Sequence, residues 1–239
     1  MAEQGVDESQ RKAAKIVGLA YLLAILPALI AEFYVSGQLI VYDNAAATAQ
    51  NIMAHERLFR LGIASNLSVF ALDVVLITAL YVVLKPVSRH LALLAAFWRL
   101  IETAIPVVIT LNDFDVLRML SSADYVRVFE ADQLQAMARL SIGAHGAGYN
   151  VGLVFAGLGS SVFCYLWFKS HYVPRALAAL GVFASVLLAA RTFAVIILPE
   201  VAHVVTIAYY GAPVFVFELT MGVWLLFRDL RPAVGVPPR

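Results

Sequence analysis

Apolar residues fill this chain in six long blocks separated by short polar stretches. The blocks run from about Ala13 to Val35, Leu58 to Leu84, His90 to Leu111, Ser141 to Phe168, Pro174 to Leu198 and Val204 to Phe227. At ~1.5 Å rise per residue, a helix of ~20 residues crosses the roughly 30 Å hydrocarbon core of a bilayer, and every block reaches that length. A helix satisfies all its backbone polar groups internally, as the bilayer interior demands. The pattern therefore predicts an all-α integral membrane fold, a six-span helical bundle over 13–228. A polar N-terminal tail (1–12) precedes it and a flexible C-terminal tail (229–239) follows. Pro174 suits a helix start, where its missing N–H is not needed. Two loops, Asn44 to Glu56 and Tyr125 to Leu140, mix Ala, Met and Leu with charges, and predict amphipathic helices lying along the membrane surface.

Composition sharpens this picture. Hydrophobic residues make up 62% and charged residues 14% of the sequence, with a mean hydropathy of +0.84, more apolar surface than a water-soluble fold can hide. The net charge of +1 and the absence of a basic patch argue against a nucleic-acid partner; membrane lipids and a small amphiphilic ligand are the expected partners. Ten of the 17 basic residues lie in alternate segments: Arg11, Lys12 and Lys15; Lys85 and Arg89; Lys169 and Arg175; Arg228, Arg231 and Arg239. The opposite loops carry Asp43, Glu56, Asp115, Asp124, Glu130, Asp132 and Glu200. The positive-inside rule then places both termini in the cytoplasm and both surface helices outside. Trp167, Trp224 and Tyr165 are expected in the inner interfacial belt. The basic start followed by an apolar block resembles a secretory signal, but no small-residue cleavage site follows and Glu32 interrupts the position, so the segment reads as a retained first span. The lone Cys164 excludes a disulfide framework or a cysteine metal cluster.

The informative residues are those a bilayer should exclude: Glu32, Arg60, Asp73, Arg99, Glu102, Arg191 and Glu218, with Asn66, His145, Tyr149 and Asn150. A lone charge at mid-bilayer costs at least ~2.5–3.5 kcal/mol, so such groups persist by pairing, by facing water or by holding a proton. Arg99 and Glu102 share a stripe with Pro106 and Asp113. Gly62, Asn66 and Asp73 share a second, and His145, Tyr149, Gly152, Ala156 and Gly159 a third. Gly148 and Gly152 form a GxxxG pair, while Gly211, Glu218 and Gly222 line one face of the sixth span, so these helices can approach closely. The stripes predict a polar cavity open to the outer face, where the arginines would hold the anionic group of an amphiphile. Two other readings stay open. One is an intramembrane enzyme using Asp73, Glu102 or Glu218 as general acid on an isoprenoid or lipid. The other is an accessory or assembly subunit in which Arg99, Arg191 and Arg60 merely neutralise Glu102, Glu218 and Asp73.

Other signals are weaker. His55, His145 and His203, with Glu32 or Asp73, could form a metal set, but the spacing of known motifs is missing and no metal is expected. Gly157-Leu158-Gly159-Ser160 lies in an apolar span and reads as packing glycine, so no nucleotide cofactor is expected either. A gapless shift of 84 residues superposes Met53, Ala54, Gly62, Asn66, Tyr81 and Lys85 on Met137, Ala138, Gly146, Asn150, Tyr165 and Lys169. This suggests a parallel repeat of surface helix plus span.

Several runs carry a family resemblance: Asn44-Ala45-Ala46-Ala47-Thr48-Ala49 to Asn51-Ile52, Leu58-Phe59-Arg60-Leu61-Gly62-Ile63, the Asp73 span and Lys85-Pro86-Val87. To these add Leu91 to Phe97 with Arg99, Asp132-Gln133-Leu134-Gln135, Ala144-His145 with Gly148, and Gly152-Leu153-Val154-Phe155. Over about Arg11 to Phe227 the sequence resembles the bacterial membrane-protein family known as domain of unknown function 4386. Phe193 departs from it, standing where the family often has an acidic or polar serine-phenylalanine pair. The resemblance implies a six-span bacterial membrane protein and no reaction; the expected location is the bacterial cytoplasmic (inner) membrane.

Overall fold

The computed structural model describes residues 6–41, 44–121 and 127–231. Their regular structure is helical: α1 (Glu8–Leu39), α2 (Ala45–Ala54), α3 (Glu56–Leu84), α4 (Arg89–Ser121), α5 (Ala131–Ser170), α6 (Arg175–Ile197), α7 (Val201–Val204) and α8 (Ile207–Phe227). Six of these, α1, α3, α4, α5, α6 and α8, are long and apolar enough to cross a membrane.

Local chemistry explains the helix ends. Asp7 and Gln10 form a reciprocal cap at the start of α1: Gln10 N donates to Asp7 Oδ1 at 2.7 Å, and Asp7 N donates to Gln10 Oε1 at 3.2 Å, satisfying two otherwise orphan N–H groups. Farther along, Pro27 lies inside α1, and residues Ile30–Val35 form a π-helical turn that carries Glu32. Asn44 caps α2, its Oδ1 accepting from Ala47 N at 2.9 Å. His171, just past the end of α5, takes a left-handed φ of 60°, the conformation that commonly ends a helix.

Two expectations need correction. The expected second surface helix begins outside the described residues, which include neither Asp124 nor Tyr125; from Ala131 onward it is continuous with α5. Nothing in Ala131–Ile142 breaks a helix, since the stretch has no Pro or Gly and is rich in Ala, Leu, Gln and Met. Trp167 is not a belt residue: only 1% of it is exposed, and its ring packs edge-on against Tyr172 at 6.5 Å. Asp43 and the last eight residues lie outside the described residues.

The chain divides into two compact units. The first comprises Met1–Leu23, Leu72–Thr103 and Val151–Arg239, and the second Ala24–Ala71 and Ala104–Asn150. The first unit packs Val17, Leu80, Val83, Leu84, Leu166, Met221 and Leu225 into a continuous core. In this unit α1 and α8 cross at two glycines: a Cβ on Gly18 would lie 2.8 Å from Gly222 O. Lys15 Nζ donates to Leu226 O at 2.9 Å and to Arg228 O at 3.2 Å, covering carbonyls that the end of α8 leaves open. Buried Gln10 donates through Nε2 to Val83 O at 3.0 Å, and Arg231 N donates to Tyr172 O at 3.0 Å. These bonds gather the start of α1, the α3–α4 turn, the α5–α6 turn and the end of α8 at one end of the unit. The second unit has its own core of Val35, Leu39, Ile52, Phe59, Ile63 and Val116 with their neighbours.

Candidate functional site

The residues singled out by polarity divide between the units. Asp73, Arg99, Glu102, Arg191 and Glu218 belong to the first, and Glu32, Arg60, Asn66, His145, Tyr149 and Asn150 to the second.

In the first unit, Arg99 on α4 reaches two carboxylates. Its Nη2 lies 3.3 Å from Asp73 Oδ1 on α3, and its Nη1 lies 3.2 Å from Glu102 Oε2, one turn farther along α4. All three side chains are only 12–14% exposed. Thr103 Oγ1 is 3.0 Å from Arg99 O and 3.4 Å from Glu102 Oε2, so its one proton serves one acceptor at a time. Gly159 of α5 makes room for the guanidinium stem: a Cβ there would sit 2.7 Å from Arg99 Cγ and 3.0 Å from Ala95 O. Glu218 of α8 lines a small closed cavity with Tyr21, Arg99, Ser160, Cys164 and Trp167. The cavity volume of ≈ 10 Å³ matches about one water molecule. Trp167 Nε1 is buried without a hydrogen-bond partner among the described residues. One guanidinium thus serves a neighbourhood of three carboxyl groups, an excess that protons, water or a ligand must balance.

Two expected neutralising pairs take different forms. Arg60 does not pair with Asp73; its Nε binds Glu56 Oε1 at 2.7 Å, with 54% of the side chain exposed. Glu56 lies one helical turn away on the same face, within easy reach of the side chain. Arg191 is placed with its guanidinium 4.4 Å from the centre of the Tyr210 ring, a cation–π arrangement, while Glu218 lies in the cavity beside Arg99.

The second unit holds a pair that the sequence stripes separated. His145 Nδ1 on α5 lies 3.1 Å from Asp113 Oδ1 on α4, and Glu32 on the π-helical turn is within electrostatic reach of the same imidazole. Asp113 shares a helix with Arg99 and Glu102, and sequence reasoning assigned it to their stripe. Its partner instead comes from α5, and no local spacing signals it. Asn150 Nδ2 donates to Gly146 O at 3.1 Å; Tyr149 is exposed and Asn66 half-buried. Of the histidines considered for a metal, His55 Nδ1 is 3.2 Å from Asn51 O, and only the backbone of His203 is described. Among the described residues, no group of three or more His, Cys, Asp or Glu is disposed to hold a metal ion.

A helical chain with six membrane-length apolar helices, charged groups buried within them and basic segments tied together at one end is a multi-pass membrane protein. Residues 16–228 match the family described as domain of unknown function (DUF4386), and the chain belongs to it. No curated protein and no solved structure matches the chain.

Proposed function

We propose that the protein binds or transports a small anionic amphiphile, with the Arg99 cluster as its working centre. One observation carries this reading: a single buried guanidinium is shared between Asp73 and Glu102, with Glu218 lining the same cavity. A guanidinium that already holds two carboxylates presents its planar fork of N–H donors to any incoming carboxylate or phosphate. An anion that displaces Asp73 or Glu102 would leave that side chain unpaired in a low-dielectric site, where the neutral acid is the stable form. Anion binding is therefore coupled to proton uptake, the combination a membrane carrier needs. At ≈ 10 Å³ the cavity has room for about one water molecule, so binding an amphiphile requires the site to open. The positive-inside count supports cytoplasmic termini.

The test uses purified full-length protein in detergent and a panel of fatty acids and phosphorylated lipids. A ligand should raise the melting temperature and take up about one proton per bound anion in weakly buffered solution. Arg99→Lys should abolish both responses while leaving a folded protein. Absence of any stabilising anion, or binding without proton uptake, overturns the reading.

A second reading rests on Glu218, which forms no ion pair or hydrogen bond with the described residues around it and shares its cavity with the apolar side chains of Leu76, Leu80 and Phe163. An unengaged acid against apolar walls suits general-acid chemistry on an isoprenoid. Turnover of prenylated substrates that persists in Glu218→Gln protein would remove that assignment.

A further inference from the structure

A separate feature of the first unit lies between the start of α1 and the last third of α3. An open groove of ≈ 730 Å³ is walled by Ile16, Val75 and Val82 and has Glu8, Ser9 and Lys12 at one end. Thr78, the polar residue within it, donates its hydroxyl to Val74 O at 2.8 Å, so the walls offer a ligand no unsatisfied polar group. Ile16 and Val75 are exposed, on helices of membrane-crossing length.

Three properties define the occupant. The groove's apolar wall follows α3 from Val74 to Val82, about 12 Å at ~1.5 Å per residue, close to the roughly 15 Å depth of one leaflet's hydrocarbon. It therefore suits an acyl chain within a single leaflet better than an object crossing the whole membrane. Its polar end coincides with the start of a span, where lipid headgroups lie. That end carries both signs of charge one helical turn apart: Lys12 Nζ and Glu8 Oε1 are 2.6 Å from each other, with 73% and 81% of their side chains exposed. A zwitterionic headgroup complements such a pair, its phosphate on Lys12 with the Ser9 hydroxyl, and its cation on Glu8. A primary ammonium donates hydrogen bonds to a carboxylate, and a quaternary one cannot.

We propose that this groove is a binding site for one ethanolamine phospholipid, with an acyl chain between α1 and α3 and the headgroup bridging Glu8 and Lys12. The site is independent of the Arg99 cluster, and the two readings succeed or fail separately.

The test is native mass spectrometry of the detergent-solubilised full chain, titrated in turn with phosphatidylethanolamine, phosphatidylcholine and phosphatidylglycerol. One phosphatidylethanolamine should be retained about tenfold more strongly than either other lipid, a ratio that equilibrium titration resolves. Val75→Trp, which fills the groove from an exposed position, should abolish that retention. The double variant Glu8→Gln, Lys12→Gln changes only exposed side chains; it should erase the headgroup preference while the lipid chain still binds. Equal retention of the three lipids would show ordinary annular lipid and overturn the proposal. So would a preference that survives either variant, or a dimer that Val75→Trp dissociates, which would make the occupant a second copy of the chain.

Discussion

At the scale of single residues, burial decides what an ion pair is worth. Arg99 holds Asp73 and Glu102 with about one-eighth of each side chain exposed. Removing it strands two carboxylates, and breaking a buried pair from one side typically costs ~3–5 kcal/mol. Arg60 and Glu56 are closer still, at 2.7 Å, but exposed along one helix, where such a pair contributes only ~0.3–0.5 kcal/mol. Thermal unfolding in detergent should therefore show a large drop for Arg99→Ala and a shift near the measurement error for Arg60→Ala. Similar losses for the two variants would mean that Arg99 is far better hydrated than its packing indicates. Both arginines stood out in the sequence for the same reason, a charge inside an apolar block. The sequence could not say which was buried, because that depends on Gly159 of a distant helix making room for Arg99, while Glu56 sits within reach of Arg60 on its own helix.

At the scale of elements, small residues set how closely helices approach. Gly222 was legible as part of a small-residue face on the last span, and its partner proves to be Gly18 of α1, a contact between distant parts of the chain that one-dimensional spacing cannot reveal. A methyl group at Gly18 meets backbone oxygen, which cannot swing aside, so Gly18→Ala should cost ~1–3 kcal/mol as an overpacked contact. Gly143 on α5 faces open space; there the same substitution should stabilise by ~0.5–1 kcal/mol through helix propensity. Opposite signs for the two variants in chemical or thermal unfolding would confirm the crossing, and two stabilising effects would refute it. The suggested 84-residue repeat meets a similar limit. Its first copy has a separate capped helix, α2, before the span, whereas its second runs into α5 without interruption, so the match in residue types does not extend to the break between helices.

At the scale of the whole molecule, hydropathy made the six spans legible because a bilayer imposes a minimum length on every crossing helix, but not the extension of α4 past Leu111 to Ser121 or of α5 back from Ser141 to Ala131, where the helices continue through more polar sequence. Topology draws on charge as well. Segments carrying Lys15, Arg228 and Arg231 are joined to residues beside the α3–α4 and α5–α6 turns by the bonds of Gln10, Lys15 and Arg231, and these are the basic segments that the positive-inside rule assigns to the cytoplasm. The lone native cysteine, Cys164, is buried, so Cys164→Ala gives a background for labelling. In that background, Ser88→Cys in the α3–α4 turn should react with a membrane-impermeant maleimide only after the cells are permeabilised. Gln50→Cys on α2, an exposed position, should react in intact cells. The reverse pattern would invert the topology and put the lipid groove at the start of α1 in the outer leaflet, while leaving the fold itself untouched. Labelling of both sites in intact cells would place α2 and the α3–α4 turn on the same side, which an odd number of crossings between them forbids, and would remove α3 as a span.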